Sequence, residues 1–400
     1  MKIGINCMRI FPEYRGGINS FTFGLLAGFT DNETSHEFII YCTPSNKHLF
    51  HSLSSNKKFS LRIMNDHYRL FSRIYHLIPW ALKKRIPLTT INRLIFGKIA
   101  EIIDRECNIV YMPYMPPFLF PIPHAKQVMS FHDIQHAYYP EFFSTGQLRE
   151  RLFLFSFWFQ TIHYCQTSSA MMTEDVHRFF PDFQKNKIYC IPEGVNVRQF
   201  SQHRDTSKII EKYKIPWGTK SFLFKPAQLW PHKNHLTILR ALAYLKNTHG
   251  IIIPLVLTGA EYSGSSGIFE FIKKKGLNAQ VRYLGIVPKE DIIDLYKAAK
   301  FLITAVLYES SSIPILEAAA SGTPIIASDT PPNREMSKTI HMLLFPALND
   351  QALGDVIRSA WHSPEENEAR ILHNHEAIKQ YDWKEIAGKY LGMFEHAVKS

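Results

Sequence analysis

Residues 301–304 (Phe-Leu-Ile-Thr), 309–317 (Glu-Ser-Ser-Ser-Ile-Pro-Ile-Leu-Glu), 318–324 (Ala-Ala-Ala-Ser-Gly-Thr-Pro) and 325–327 (Ile-Ile-Ala) read in turn as strand, loop, helix and strand. The same alternation of short β-branched runs with helix-length amphipathic segments continues in both directions. It is the signature of parallel sheets covered by helices, so the expected class is α/β. Strands are expected near 2–6, 37–41, 109–112, 127–131, 164–168 and 188–191, then near 221–226, 252–258, 281–284, 301–304, 324–327 and 342–345. The polar stretch 193–207 parts the two series. A chain of 400 residues exceeds what one hydrophobic core usually organises. Two domains are therefore expected, over 1–200 and 201–382, with a terminal helix near 383–397 able to pack on either.

Apolar residues make up 46% of the chain and charged ones 20%, which excludes a disordered chain and fits a globular enzyme rich in aromatics. Cys7, Cys42, Cys107, Cys165 and Cys190 show no CxxC spacing, so neither a zinc site nor a disulfide framework is expected. A reducing cytosol is the simpler setting. The apolar run before Asn6 and Arg9 is too short for a signal-peptide core, and a cytoplasmic location is expected. No charged residue stands between Arg151 and Glu174, yet Gln160, His163, Gln166 and the 167–169 hydroxyl cluster interrupt the run early. A membrane span needs roughly twenty mostly apolar residues, so a buried core helix leading into a strand is preferred here.

The net charge of +11 is concentrated between 56 and 100, where ten Lys or Arg residues face one acid, Asp66. A solvated basic face is one reading of this run. Its interleaving with Phe71, Ile74, Tyr75, Ile78 and Trp80 suits a second, an insertion-like helical region meeting an anionic membrane surface. No nucleic-acid motif accompanies the charge, and nucleic acid is not expected as a partner.

In open α/β sheets ligands sit beyond the carboxyl ends of strands, so the loops there carry the candidate residues. Arg15-Gly16-Gly17 follows the first strand and precedes a helical pattern: either a plain turn, or amides approaching a phosphate or sugar. No GxGxxG fingerprint occurs, which argues against a dinucleotide-dependent dehydrogenase. His132 and Asp133 follow another strand and could form an acid/base pair or a structural hydrogen bond. The i,i+4 spacing of His132 and His136 on a loop gives no dependable metal geometry. The segment 225–235 (Lys-Pro-Ala-Gln-Leu-Trp-Pro-His-Lys-Asn-His) links strand to helix, and Lys233 near the helix start suits a diphosphate unless it is merely exposed. Glu309 and Glu317 bracket a loop and the first turns of a helix, a setting in which a carboxylate can accept vicinal sugar hydroxyls.

Together the Glu-x7-Glu block with Ala-Ser-Gly-Thr-Pro, the segment from Pro226 to His235, Phe-His-Asp-Ile-Gln-His at 131–136 and Pro-Glu-Gly-Val-Asn at 192–196 carry a resemblance. The chain resembles glycosyltransferase family 4, retaining enzymes of the GT-B fold, over almost its whole length. The resemblance implies two Rossmann-like doubly wound domains facing a cleft, acceptor on the first and nucleotide sugar on the second, with 383–400 crossing back to the first. By matched position it implies ribose on Glu317, the donor sugar on Glu309 and the amides of Ser310, Ser311, Ser312 and Ile313, the diphosphate on Lys233, and His132 near the transferred sugar. Gln228 stands where relatives often carry Arg, and Ser310, Ser311 and Ser312 where they carry glycines. Pro-Ala-Gln-Leu-Trp at 226–230 is similar to mannosyl-type enzymes of surface polysaccharide assembly.

The expected reaction is retaining transfer of a hexose from a nucleoside-diphosphate sugar, a co-substrate rather than a cofactor, to a glycan or lipid-linked acceptor. His132, Glu309 and Lys233 form the expected catalytic set; Gly16, Gly17, Gln228, Lys233, Glu309, Ser310, Ser311, Ser312, Ile313 and Glu317 form the donor-binding set. No Asp-x-Asp motif occurs and no metal is expected, so leaving-group charge falls to Lys233 and helix amides. Without an obvious second carboxylate for double displacement, front-face substitution is the expected route. Two rivals stand beside this: a glycoside hydrolase using Glu309 and Glu317, and an inactive nucleotide-sugar-binding assembly subunit.

Overall fold

The computed structural model describes residues 1–11, 17–65, 88–114, 122–262 and 265–400. The chain divides into two compact units, Met1–Pro192 with Trp383–Ser400, and Glu193–Asp382. Residues 193–200, which the sequence assigns to the first domain, sit with the second because the Val195 amide donates to the Tyr381 carbonyl and its side chain joins the second core.

The first unit carries a seven-stranded sheet in the order β3-β2-β1-β4-β5-β6-β7. Its strands are β1 (Lys2–Asn6), β2 (Glu37–Cys42), β3 (Phe59–Ile63), β4 (Ile109–Met112), β5 (Lys126–Phe131), β6 (Tyr164–Thr167) and β7 (Ile188–Cys190). The second unit has a six-stranded sheet ordered β10-β9-β8-β11-β12-β13. Here β8 is Leu223–Pro226, β9 Leu255–Thr258, β10 Val281–Tyr283, β11 Phe301–Thr304, β12 Ile325–Ser328 and β13 Leu343–Phe345. Every adjacent pair in both sheets is parallel. Parallel sheets need helical crossovers on both faces, which is why β11 and β12 are buried along their whole length and read as continuous apolar runs.

The two-sheet α/β reading holds, and β3 is an addition to it. This edge strand lies inside the basic segment read as helical; Phe59 is buried against Phe38, and Phe59, Leu61 and Ile63 alternate with Ser60 and Arg62 as a half-buried strand does. Residues 88–100 of that segment are helical, within the helix Leu88–Glu106, and 66–87 lie outside the described residues.

The uncharged run after Arg151 forms the helix Thr145–Thr161 and leads into β6. Ser144 and Gln147 close a capping box at its start, and Phe155, Trp158 and Phe159 bury its inner face. No helix among the described residues is long and apolar enough to cross a membrane. At the far end of the chain, the helix Trp383–Lys399 packs along the helix Gly17–Asp31 and buries Trp383, Ile386, Tyr390 and Phe394 in the first unit's core.

Candidate active site in the second unit

Strand order alone marks one place in the second sheet. From β8 the chain moves outward to β9 and β10, then returns to add β11 on the other side of β8. The crevice beyond the carboxyl ends of β8 and β11 is the topological switch point, where open α/β sheets bind ligands. β8 ends at Lys225 and Pro226, β11 at Thr304. The loops leaving these ends hold Lys233 and Glu309.

The loop after β8 turns through Pro231–Lys233 and reverses at Asn234, a non-glycine residue at φ 51°, before the helix His235–His249. Asn234 tolerates this left-handed backbone because its side chain is anchored on both sides, donating to the Ala347 carbonyl at 3.0 Å and accepting from Thr237 at 2.9 Å. The loop after β11 is tied to the same turn, since the Leu307 amide donates to the His232 carbonyl at 2.8 Å. That tie brings Lys233 onto Glu309 as an ion pair. The Glu309 side chain is only 10% exposed. Burial alone would push its carboxyl up, but Lys233 and then Lys225 outweigh burial and hold it below the ordinary glutamate value.

Glu309 Oε2, Ser311 Oγ and Ser312 Oγ are buried with no hydrogen-bond partner among the described residues. Buried polar atoms are nearly always paired, so three such atoms within four residues mark a surface suited to a polar ligand. Ser312 caps the helix Ile313–Ala320 without a side-chain bond; Pro314 has no N–H and the Ile315 amide donates to the Ser312 carbonyl, so the Ile313 amide is the first-turn donor left without an intrahelical acceptor. The serines that stand in place of glycines therefore add hydroxyls to the loop rather than simply filling it.

Glu317 projects from that helix to Tyr296, whose hydroxyl donates to Oε2 at 2.9 Å. Burial pushes the Glu317 carboxyl up to about 7, against the opposing pull of Tyr296 and Lys289. Burial, then the charge of Glu317, holds the Tyr296 phenol far above its usual range, so it remains a donor. Gln228 turns sideways: its Oε1 accepts from the Trp230 indole, which stacks on Tyr262 with ring centroids 4.0 Å apart.

Lys225 is a site residue that sequence reasoning passed over. It is 2% exposed, and its Nζ donates to Thr304 Oγ1 at 3.1 Å, joining the ends of β8 and β11. Burial brings its ammonium down to about 7, with Glu309 opposing the change and Lys233 adding to it. The signal was present, since a lysine interrupts the apolar run Phe222-Leu-Phe at a strand's end. Tyr296 carried no comparable signal.

The remaining candidates belong to the first unit. His132 Nε2 donates to the Pro113 carbonyl at 2.7 Å, and its ring meets Phe21 edge-on at 4.7 Å. Asp133 does not serve it: the carboxylate accepts from the Gln135 amide at 2.6 Å and from Arg151 at 2.8 Å, so the two neighbours form neither an acid/base pair nor a structural hydrogen bond with each other. Gly17 opens the helix Gly17–Asp31, and Gly16 lies outside the described residues.

Comparison with known proteins places this geometry. Residues 205–376 match the family described as Glycosyl transferases group 1. The O-antigen chain mannosyltransferase B of Escherichia coli is 22% identical over 280 residues, covering 69% of this chain and 68% of that protein. The O-antigen chain mannosyltransferase RfbU of Salmonella typhimurium is 26% identical over 206 residues, covering 52% of this chain and 53% of its own. The match thus spans about two thirds of the length of the first relative and about half of the second. Among solved structures, Anabaena HepE in complex with UDP and glucose superposes with a TM-score of 0.73 at 16% identity, over 99% of this chain and 100% of that one. WaaG, a glycosyltransferase involved in lipopolysaccharide biosynthesis, gives 0.68 at 13% identity over 98% and 99%. Most of the second unit therefore matches the Glycosyl transferases group 1 family, and the chain has the fold of the GT-B glycosyltransferases.

Proposed function

We propose that the chain is a retaining hexosyltransferase that takes a sugar, mannose by the names of its relatives, from a nucleoside-diphosphate donor to a glycan or lipid-linked acceptor of surface polysaccharide or glycoconjugate synthesis. The observation that carries the reading is the meeting of Lys233, Glu309 and the unpartnered Ser311 and Ser312 hydroxyls at the switch point of a group 1 domain. Lys233 takes the donor diphosphate, whose negative charge grows as the glycosidic bond breaks. Glu309, the serine loop and the amides up to Ile313 take the hexose. Glu317, with Tyr296 fixing one oxygen, takes the ribose hydroxyls from the other. Leaving-group stabilisation by side-chain cations and amides needs no metal, and front-face attack needs no second carboxylate. The protein works in the cytoplasm, at the inner face of the membrane that holds its acceptor.

Thermal unfolding with a panel of nucleoside diphosphates tests the donor site. A ligand at a hundred times its Kd adds about 2.7 kcal/mol, which for a domain of this size raises Tm by roughly 5–10 °C or less. The cognate base should stand out from the rest, and anomeric NMR of the product should report retention. A panel in which no nucleoside diphosphate moves Tm, with an oligosaccharide doing so instead, would hand the site to the hydrolase reading.

A further inference from the structure

Lys233 cannot serve a diphosphate without consequence, because its ammonium is already committed to Glu309. Glu309 is nearly buried, and its second oxygen has no partner among the described residues. Drawing Lys233 away would leave a buried carboxylate uncompensated, a strongly unfavourable state. A second cation stands close by. Lys225 reaches the same crevice from the end of β8, buried, with Thr304 Oγ1 as its single hydrogen-bond acceptor among the described residues. An ammonium has three donors. Lys225 ends β8 and Glu309 follows the paired strand β11, and both side chains are buried at that common end of the sheet, where their charges act on each other.

We propose that Lys225 is a positioning residue for the donor site: as a diphosphate draws Lys233 off Glu309, the Lys225 ammonium turns from Thr304 to Glu309 Oε2 and keeps that carboxylate paired. The handover lets Lys233 give its full charge to the phosphates, and it restores to the site the cation that Gln228 does not supply. This rests on the reading of Lys233 as the diphosphate ligand. The charged and titratable groups facing Lys225 are Glu309 from the loop after β11, Lys233 from the turn after β8, and His235 from the helix behind it. Burial, then Lys225 and Lys233, pushes the His235 imidazole well below its ordinary value, so it adds no cation of its own.

Calorimetric titration with UDP and with GDP tests the handover in five proteins: wild type, Lys233→Met, Lys225→Met, Glu309→Gln and the Lys225→Met/Glu309→Gln double variant. Lys233→Met is read first, because an unchanged affinity there sinks the reading on which the handover rests. With that reading intact, Lys225→Met should weaken the nucleotide about tenfold, and the same substitution in the Glu309→Gln background should cost less than about twofold, the coupling expected of residues in one network. No loss in the single variant overturns the handover alone. An equal loss in both backgrounds also overturns it, since Lys225 would then act on the phosphates directly. The ratio of the Lys225→Met and wild-type dissociation constants should be largest below about pH 7 and shrink above it as the native lysine discharges; a ratio constant from about pH 6 to 9 counts against the proposal. Thr304→Val keeps the lysine and deletes its resting acceptor. That variant should bind the nucleotide as tightly as wild type or more so, and weaker binding contradicts the mechanism.

Discussion

At the scale of single residues, the second unit holds its charges in a deliberate imbalance. Lys233 is paired with Glu309, and as a cation at the diphosphate its effect on a donor should grow as charge develops on the leaving group. Lys233→Met is expected to lower kcat more than it raises KM, by about a hundredfold, the loss typical of removing one oxyanion donor. Gln228→Arg in that background should restore only part of the rate, because Gln228 also orients the Trp230 indole and arginine cannot accept that bond. Steady-state kinetics on the three proteins decides the point; near-normal turnover in Lys233→Met would make the lysine a helix-start residue and nothing more. Glu317 carries the opposite imbalance. Its carboxyl titrates at about 7 in the fold against 4.5 when unperturbed, so the native state holds the extra proton between those values. The stability this group contributes is full below pH 4.5 and lost as pH rises through about 7. Glu317→Gln keeps the acceptor for Tyr296 and removes the titration. Urea unfolding should show it level with wild type near pH 4.5 and ahead by roughly 2–3 kcal/mol near pH 8. The same variant should bind nucleoside diphosphates more weakly, by about 1.5–3 kcal/mol, if the carboxylate accepts ribose hydroxyls. A stability difference that does not vary with pH would show that burial does not perturb this carboxyl.

At the scale of elements, the closest packing in the first unit is between its first and last helices. A Cβ placed on Gly28 would lie 2.1 Å from the Trp383 carbonyl oxygen, and one on Gly24 would lie 2.1 Å from the Trp383 indole. Asn32 extends the contact, donating to the Lys384 carbonyl at 2.8 Å. Glycine is needed here for approach rather than for backbone freedom, since both positions are helical. Gly28→Ala should destabilise the first unit by about 1–3 kcal/mol, because backbone cannot yield as a flexible side chain would. Gly17→Ala on the same helix meets nothing within 4 Å, and should stay within about 0.5 kcal/mol of wild type. Thermal unfolding of the pair is the comparison. Equal midpoints would mean that the last helix can slide away without cost. In the second unit, Gly259 at φ 122° plays a related part, since a Cβ there would meet the Ala227 carbonyl oxygen at 2.4 Å and displace the loop that leads to Lys233.

At the scale of the whole molecule, the charge distribution is the feature most open to test. The basic run from 56 to 100 carries most of the net charge of +11, and Lys83, Lys84 and Arg85 within it lie outside the described residues. If the run meets an anionic membrane, each basic residue near the surface contributes about 1 kcal/mol. Replacing those three by Gln should reduce co-sedimentation with phosphatidylglycerol-containing vesicles, and high salt should reproduce the change by screening. Sedimentation indifferent to both would leave the run a solvated face.

The sequence by itself determined the class of fold and the position of the Glu309–Glu317 block, because strand and helix periodicities and turn residues are local properties that a stretch of ten residues displays. The edge strand β3 displays the local signal too, Phe59, Leu61 and Ile63 alternating with Ser60 and Arg62, but over only five residues within a basic run whose charge favoured a helical reading. Only the tertiary structure decided which charges meet. Lys233 and Glu309 stand 76 residues apart in the chain, and Lys225 and Thr304 stand 79 apart. They come together because β11 returns to the side of β8 that β9 leaves open, a strand order that no local periodicity records. The same limit separated His132 from Asp133: adjacent in sequence, they face different partners once Arg151 and Pro113 are folded around them. Pairings of buried charge belong to topology, because the desolvation that makes them matter exists only after the sheets have closed.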